Sequence, residues 1–128
     1  MKLAIDRVDH FVLTVASIER TVDFYTRVLG MESVSFAGGR IALRFGRNKI
    51  NLHPAGREYE PKALKPMPGS GDFCLIAAVP LERVIERLNS EGVRIEQGPV
   101  KRSGATGPIT SVYFRDPDFN LVEISTYD

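Results

Sequence analysis

An α+β fold made of two copies of one strand–helix–strand–strand–strand module, paired to enclose a cleft, is what this sequence predicts. Three observations carry that expectation. Short runs rich in β-branched and aromatic residues alternate with two amphipathic helical stripes. The order of elements in the first 54 residues returns from residue 72 onward. Ser17-Ile18-Glu19-Arg20 is matched by Pro80-Leu81-Glu82-Arg83, 63 residues later, and Asp9 meets Asp72 at the same offset. A module that cannot bury its own sheet gains by pairing with a second copy about an approximate two-fold. The expected organisation is one domain, with module one at about 5–54, a connector at 55–71 and module two at 72–127.

Each element has its local reason. Arg7 to Val15 is dense in Val8, Phe11, Val12, Leu13 and Val15, which predicts a buried strand. Ser17 follows as a helix N-cap, its hydroxyl able to accept from the free amides of the first turn. Ile18, Val22, Tyr25 and Leu29 form one stripe, and Gly30 ends the helix. Glu32 to Phe36, Arg40 to Phe45 and Lys49 to His53 read as strands separated by the turns Gly38-Gly39 and Arg47-Asn48. Pro54, Pro61, Pro66, Pro68, Gly69 and Gly71 interrupt any regular pattern, which marks the connector. Asp72 to Val79 is a further apolar strand, and Pro80 opens a helix with Leu81, Val84, Ile85 and Leu88 on its buried stripe. Val93 to Glu96 is read as a short strand and Gly98 to Pro108 as a basic, glycine-rich loop. Thr110 to Arg115 and Leu121 to Ser125 are the last strands, joined by Asp116-Pro117-Asp118.

Composition narrows the function classes. Lys and Arg number 17 against 16 Asp and Glu, a net charge of +1. That balance removes the electrostatic reason to expect nucleic acid or an anionic membrane as partner. No stretch approaches the ~20 apolar residues that span a bilayer, and Met1 to Asp6 lacks a signal-peptide core. The single cysteine, Cys74, excludes an internal disulfide and fits a reducing compartment; it reads as inert packing. The expectation is a small cytoplasmic domain whose function must be read from particular residues.

Three polar side chains stand out in otherwise apolar strands: His10, His53 and Glu123. A carboxylate facing inward is costly unless it is paired or coordinates a metal. Two imidazoles and a carboxylate leave coordination positions open on Zn²⁺, Ni²⁺, Mn²⁺ or Fe²⁺. Read singly, each has an ordinary structural explanation, and the ligand spacing is not that of any short metal motif. Arg44 and Arg115, on strands, are candidates to clamp an anionic substrate group. Tyr113 shares the face of Arg115, and the 101–108 loop is placed to close over a substrate.

Val8-Asp9-His10-Phe11-Val12-Leu13-Thr14-Val15, Asp23-Phe24-Tyr25, Val28-Leu29-Gly30-Met31 and Phe114-Arg115-Asp116-Pro117-Asp118-Phe119-Asn120-Leu121-Val122-Glu123 together resemble the vicinal oxygen chelate superfamily. This is the glyoxalase, bleomycin-resistance and extradiol-dioxygenase group, and the resemblance covers essentially the whole chain. Lys49 to His53, Glu60-Pro61-Lys62-Ala63 and Pro68-Gly69-Ser70 are similar to the glyoxalase-domain-containing protein 5 subgroup. The resemblance implies two paired βαβββ modules, one divalent metal at their junction and a homodimer. It implies His10 as first-strand ligand and Glu123 as last-strand ligand. For the last strand of the first module the choice lies between Asn51 and His53, and His53 is taken as the stronger ligand. The fourth position falls on Asp72, unless a one-residue slip puts Phe73 there. Glu123 or Asp72 then acts as the base of a glyoxalase-type lyase or isomerase. The alternatives are a non-haem Fe(II) extradiol-type dioxygenase, a fosfomycin-resistance-like addition enzyme, and a non-catalytic drug-sequestering protein.

Overall fold

A computed structural model describes residues 1–128. The chain divides into two compact units, Met1–Met67 and Pro68–Asp128. Each is a βαβββ module, so the α+β fold expected from the sequence is the fold observed.

In the first unit β1 (His10–Val15) leads into α1 (Ile18–Arg27), followed by β2 (Glu32–Phe36), β3 (Arg40–Phe45) and β4 (Asn48–Pro54). The sheet order is β1-β4-β3-β2, with β1 parallel to β4 and the other pairs antiparallel. Alternation along the strands sorts the side chains: Leu13, Val15, Leu43, Ile50 and Leu52 share one face and are buried. Helix α1 packs on β2, β3 and β4. Ser17 caps the helix as expected, accepting from the Arg20 amide at 3.1 Å. The stripe differs by one register. Thr21, Tyr25 and Val28 are the buried positions, while Ile18, Val22 and Leu29 flank them half-buried. Thr21 can face inward because its hydroxyl donates to the Ser17 carbonyl at 2.8 Å, which removes the cost of burying it.

In the second unit β5 (Asp72–Ile76) leads into α2 (Leu81–Ser90), then β6 (Gln97–Ser103), β7 (Pro108–Arg115) and β8 (Leu121–Tyr127), with order β5-β8-β7-β6. Val112, Phe114, Val122 and Ile124 form the buried face, and α2 packs on β7 and β8 with Leu81 and Leu88 inward. Two sequence expectations are corrected here. The strand expected at 93–96 lies instead at Gln97–Ser103, almost wholly within the segment read as a basic, glycine-rich loop. The pairing steps from Gln97 opposite Tyr113 to Val100 opposite Ser111, a bulge that absorbs one extra residue. Gly98 makes it possible: a Cβ there would stand 2.4 Å from the Ser111 carbonyl oxygen. Lys101 and Arg102 then belong to an edge strand, where charged side chains are at home. The strand expected to run to Val79 stops at Ile76.

No helix is long and apolar enough to cross a membrane.

Candidate functional site

The face of the first sheet opposite α1 carries the polar residues. Strand register puts His10 opposite Lys49, Val12 opposite Asn51 and Thr14 opposite His53 on this face. Arg44 and Ala42 continue it on β3, and Glu32 and Val34 on β2. His10 is part-exposed, and its Nδ1 lies 2.8 Å from the Asp9 carboxylate. A carboxylate on one ring nitrogen fixes the tautomer and frees the other nitrogen, the arrangement metal-bound histidines use. The Asn51 side chain is buried, and its Oδ1 has no hydrogen-bond partner. An orphaned buried acceptor is costly, and a cation would relieve it.

His53 is placed differently. It is 3% exposed, Arg40 Nη2 donates to its Nε2 at 3.2 Å, and Tyr59 meets its ring edge-on. Burial, and then the Arg40 charge, push its pKa below the usual histidine value. The imidazole is therefore neutral, with its proton on Nδ1 and its lone pair already occupied. His53 also stands four residues beyond Lys49 on β4, roughly 13 Å along the strand from the level of His10. Arg40 engages it from β3, whereas β1 and His10 lie on the other flank of β4. The structure does not bring His10 and His53 together, and the residue that shares a neighbourhood with His10 is Asn51.

In the second unit the corresponding face carries Asp72, Cys74, Tyr113, Ser111, Glu123 and Ser125. Asp72 pairs with Leu121, Cys74 with Glu123, and Tyr113 with Glu123 from the other side. Asp72 thus shares the face of Glu123, and Phe73 turns to the opposite one. The register also shows that the first strands repeat at 62 residues, against 63 for the helices and 72 for the last strands. His10 lies opposite the residue two before Asn51, and Asp72 lies opposite the residue two before Glu123. His10 and Asn51 in one unit are therefore the equivalents of Asp72 and Glu123 in the other.

Glu123 is held from one side only. Ser111, fully buried, donates to Oε2 at 2.6 Å, and Ser125 stands 2.6 Å from Ser111 and 3.4 Å from the same Oε2. Cys74 adds its thiol to Ser125 at 3.3 Å. A carboxylate only accepts, so the donors run toward it and leave Oε1 without a protein partner. Contrary to the packing role expected of it, Cys74 is exposed on this face. Burial of the thiol, and the Glu123 charge, push its pKa up and keep it protonated. Ser111 and Ser125 escaped the sequence reading although they alternate in step with Tyr113 and Glu123; that period-two polarity was the available signal.

The candidate anion clamps are already engaged. Arg44 forms an ion pair with Glu32 directly across β2 and β3. Arg115 grips Glu96 with two nitrogens, at 3.0 and 3.1 Å, and donates a third bond to the Phe119 carbonyl. Tyr113 accepts from Arg102 Nε at 3.0 Å through its hydroxyl. The Asp116–Asn120 turn is structural. Asp116 accepts from the amides of Asp118 and Asn120, and Asn120 Oδ1 accepts from the Gly71 amide at 2.7 Å. That last bond sets β5 beside β8 and so brings Asp72 onto the face of Glu123.

The sequence model of the Glyoxalase/Bleomycin resistance protein/Dioxygenase superfamily matches residues 7–124. The chain belongs to this superfamily. Virulence protein STM3117 of Salmonella typhimurium is 51% identical over 127 residues, covering 99% of this chain and 88% of that protein. Glyoxalase domain-containing protein RDO1 of Mycosarcoma maydis is 50% identical over 126 residues, covering 98% of this chain and 71% of that one. A solved integron cassette protein from the mobile metagenome of V. cholerae superposes with a TM-score of 0.97 at 54% identity, covering 100% of both chains. More distant structures share the fold: lactoylglutathione lyase from Agrobacterium tumefaciens (TM-score 0.72, 24% identity, 95% and 94% covered) and the antibiotic binding protein TnmS3 from Streptomyces (0.76, 20%, 99% and 100%).

Members of this superfamily commonly bind a metal. Within neither unit do three His, Cys, Asp or Glu side chains group closely enough to hold one. The individual donors nonetheless have the right chemistry: the Asp9-oriented ring of His10, the orphaned Oδ1 of Asn51 and the free Oε1 of Glu123. His53 lacks it, since Arg40 takes its lone pair.

Proposed function

We propose that this protein is a metal-dependent enzyme of the glyoxalase type, a lyase or isomerase acting on a small molecule with adjacent oxygen atoms. His10 and Asn51 in the first unit, and Asp72 and Glu123 in the second, are the candidate metal donors, and Glu123 or Asp72 moves the proton. The ion, Zn²⁺, Ni²⁺, Mn²⁺ or Fe²⁺, supplies polarisation of the substrate oxygens when bound. The observation that carries this reading is the equivalence of the two strand pairs. His10 and Asn51 in one unit and Asp72 and Glu123 in the other occupy repeated positions on the sheet faces opposite the helices. Ser111 donates to Oε2 and so orients the Glu123 carboxylate. Val12 and Ile76, exposed apolar residues on these same faces, support a homodimer as the working form.

The test is a turnover panel of hemithioacetals and catechols, with protein reloaded separately with each of the four metals. Glu123→Gln keeps the shape and removes the charge and most of the basicity. Turnover should fall by roughly 10²–10⁴, the usual worth of a placed acid–base group, while substrate still binds. Ring-opened catechol would assign a dioxygenase instead. A ligand bound tightly and recovered intact under every metal would assign a sequestering protein. Light scattering should return the mass of two chains.

A further inference from the structure

The open face of the first sheet holds two cations, Arg40 and Lys49, that form no ion pair with a carboxylate, although Asp9 reaches Lys49 electrostatically. Arg40 and Lys49 both lie against the ring of Phe36, the guanidinium carbon 5.1 Å and the ammonium 3.7 Å from its centroid. Tyr59 covers the other side of Arg40 at 4.5 Å. Arg44 on the same face shows the contrast, because Glu32 neutralises it. The carboxylate acting on this corner is Glu58, which reaches His53 electrostatically but gives its oxygens to the Gly56 amide and to Lys62.

The hydrogen-bonding account is short on the same side. Arg40 Nη2 donates to His53, which leaves Nε buried without an acceptor and Nη1 without a protein partner. His53 Nδ1, which carries the ring proton, is a second buried donor without an acceptor. Aromatic faces offset a cation only weakly where water competes, and one ring shared by two cations leaves like charges close together. Charge-assisted bonds to an oxyanion are the stronger way to satisfy such a cluster.

We infer that Arg40 and Lys49, flanking Phe36, form a subsite for an anionic group of the substrate, a carboxylate, phosphonate or phosphate. Lys49 stands opposite His10 in the strand register, so the anionic group and the donors His10 and Asn51 share one sheet face. The inference rests on the proposed function for the identity of the ligand as a substrate, and it narrows that substrate to an acid with adjacent oxygens. The subsite itself is independent of any metal.

Inorganic phosphate and acetate, titrated separately into the full-length ¹⁵N-labelled protein with chelator present, test it. The amides of Phe36, Arg40 and Lys49 should shift saturably, and the tighter of the two anions names the geometry preferred. Lys49→Met should weaken that binding at least fivefold, as should Arg40→Gln. Lys49→Met is the deciding variant, because Arg40 also packs against Tyr59 and its loss disturbs the fold locally. Shifts that never saturate, or a Lys49→Met titration that follows the native one, overturn the subsite. Weakening by His10→Ala instead of Lys49→Met would place the anion at the metal donors and overturn it equally. Anion binding that survives in a protein unable to take up metal would sustain the subsite while defeating the metal-dependent reading.

Discussion

Asn51 and His53 occupy the same strand and face, two residues apart, yet their surroundings assign them different work. His53 spends its lone pair on Arg40 and its ring on Tyr59; Asn51 keeps a buried oxygen that nothing in the chain satisfies. The difference is measurable by calorimetric titration of the metal-free protein with Zn²⁺ or Ni²⁺. Asn51→Leu should lower affinity by at least about tenfold, the lower end of what losing even an outer-sphere partner costs a metal site. His53→Gln should leave metal affinity nearly unchanged and show its effect in thermal stability instead, because it strands Arg40. The reverse pattern would restore His53 as the ligand.

At the scale of elements, the β7–β8 pair does most to build the second face. Ser111 is fully buried between Glu123 and Ser125, so Ser111→Ala removes the shortest of the hydrogen bonds to a half-buried carboxylate. Urea unfolding should register a loss of about 1–3 kcal/mol, the cost of leaving such a group unsatisfied. The Asp116–Asn120 turn is braced from outside by Arg115. Its hydrogen bond holds the Glu96 carboxyl below the usual carboxylate range. A carboxylate with a depressed folded-state pKa contributes stability that is present above its unfolded pKa and lost as pH falls through the folded value. The melting temperature of the native protein should therefore drop more between neutral pH and about pH 3.5, below the usual carboxylate range, than that of Glu96→Gln. Both groups are exposed, so the difference is small, and equal drops would mean the brace is structurally idle.

For the whole molecule, the sensitive measurement couples metal to stability. An ion that binds only the folded state stabilises it by mass action, by about 2.7 kcal/mol when it is 100-fold above its dissociation constant. Adding chelator should lower the melting temperature of native protein and leave Glu123→Ala almost unmoved. Equal shifts in the two would place any bound metal away from Glu123.

Local chemistry marked most of the elements and the repeat, and the motifs at both ends of the chain carried the resemblance to the superfamily. Ser17 caps a helix, Gly30 ends it, and apolar spacing distinguishes strand from helix, because each depends on neighbours a few residues away. His10 and Glu123 stood out in the sequence for the same reason, as polar residues in otherwise apolar strands. Pairing between distant strands decided the rest. The register of β5 on β8, set through Gly71 and Asn120, put Asp72 rather than Phe73 on the face of Glu123. The bulge at Gly98 turned an expected loop into an edge strand, and a one-residue difference between the repeats of first strand and helix lay hidden in the connection between them. Arg40 comes to His53, Glu96 to Arg115 and Ser111 to Glu123 across 12 to 19 residues of chain. Which polar side chains remain free to bind depends on which partners folding has already supplied, and that is a property of tertiary contacts rather than of sequence spacing.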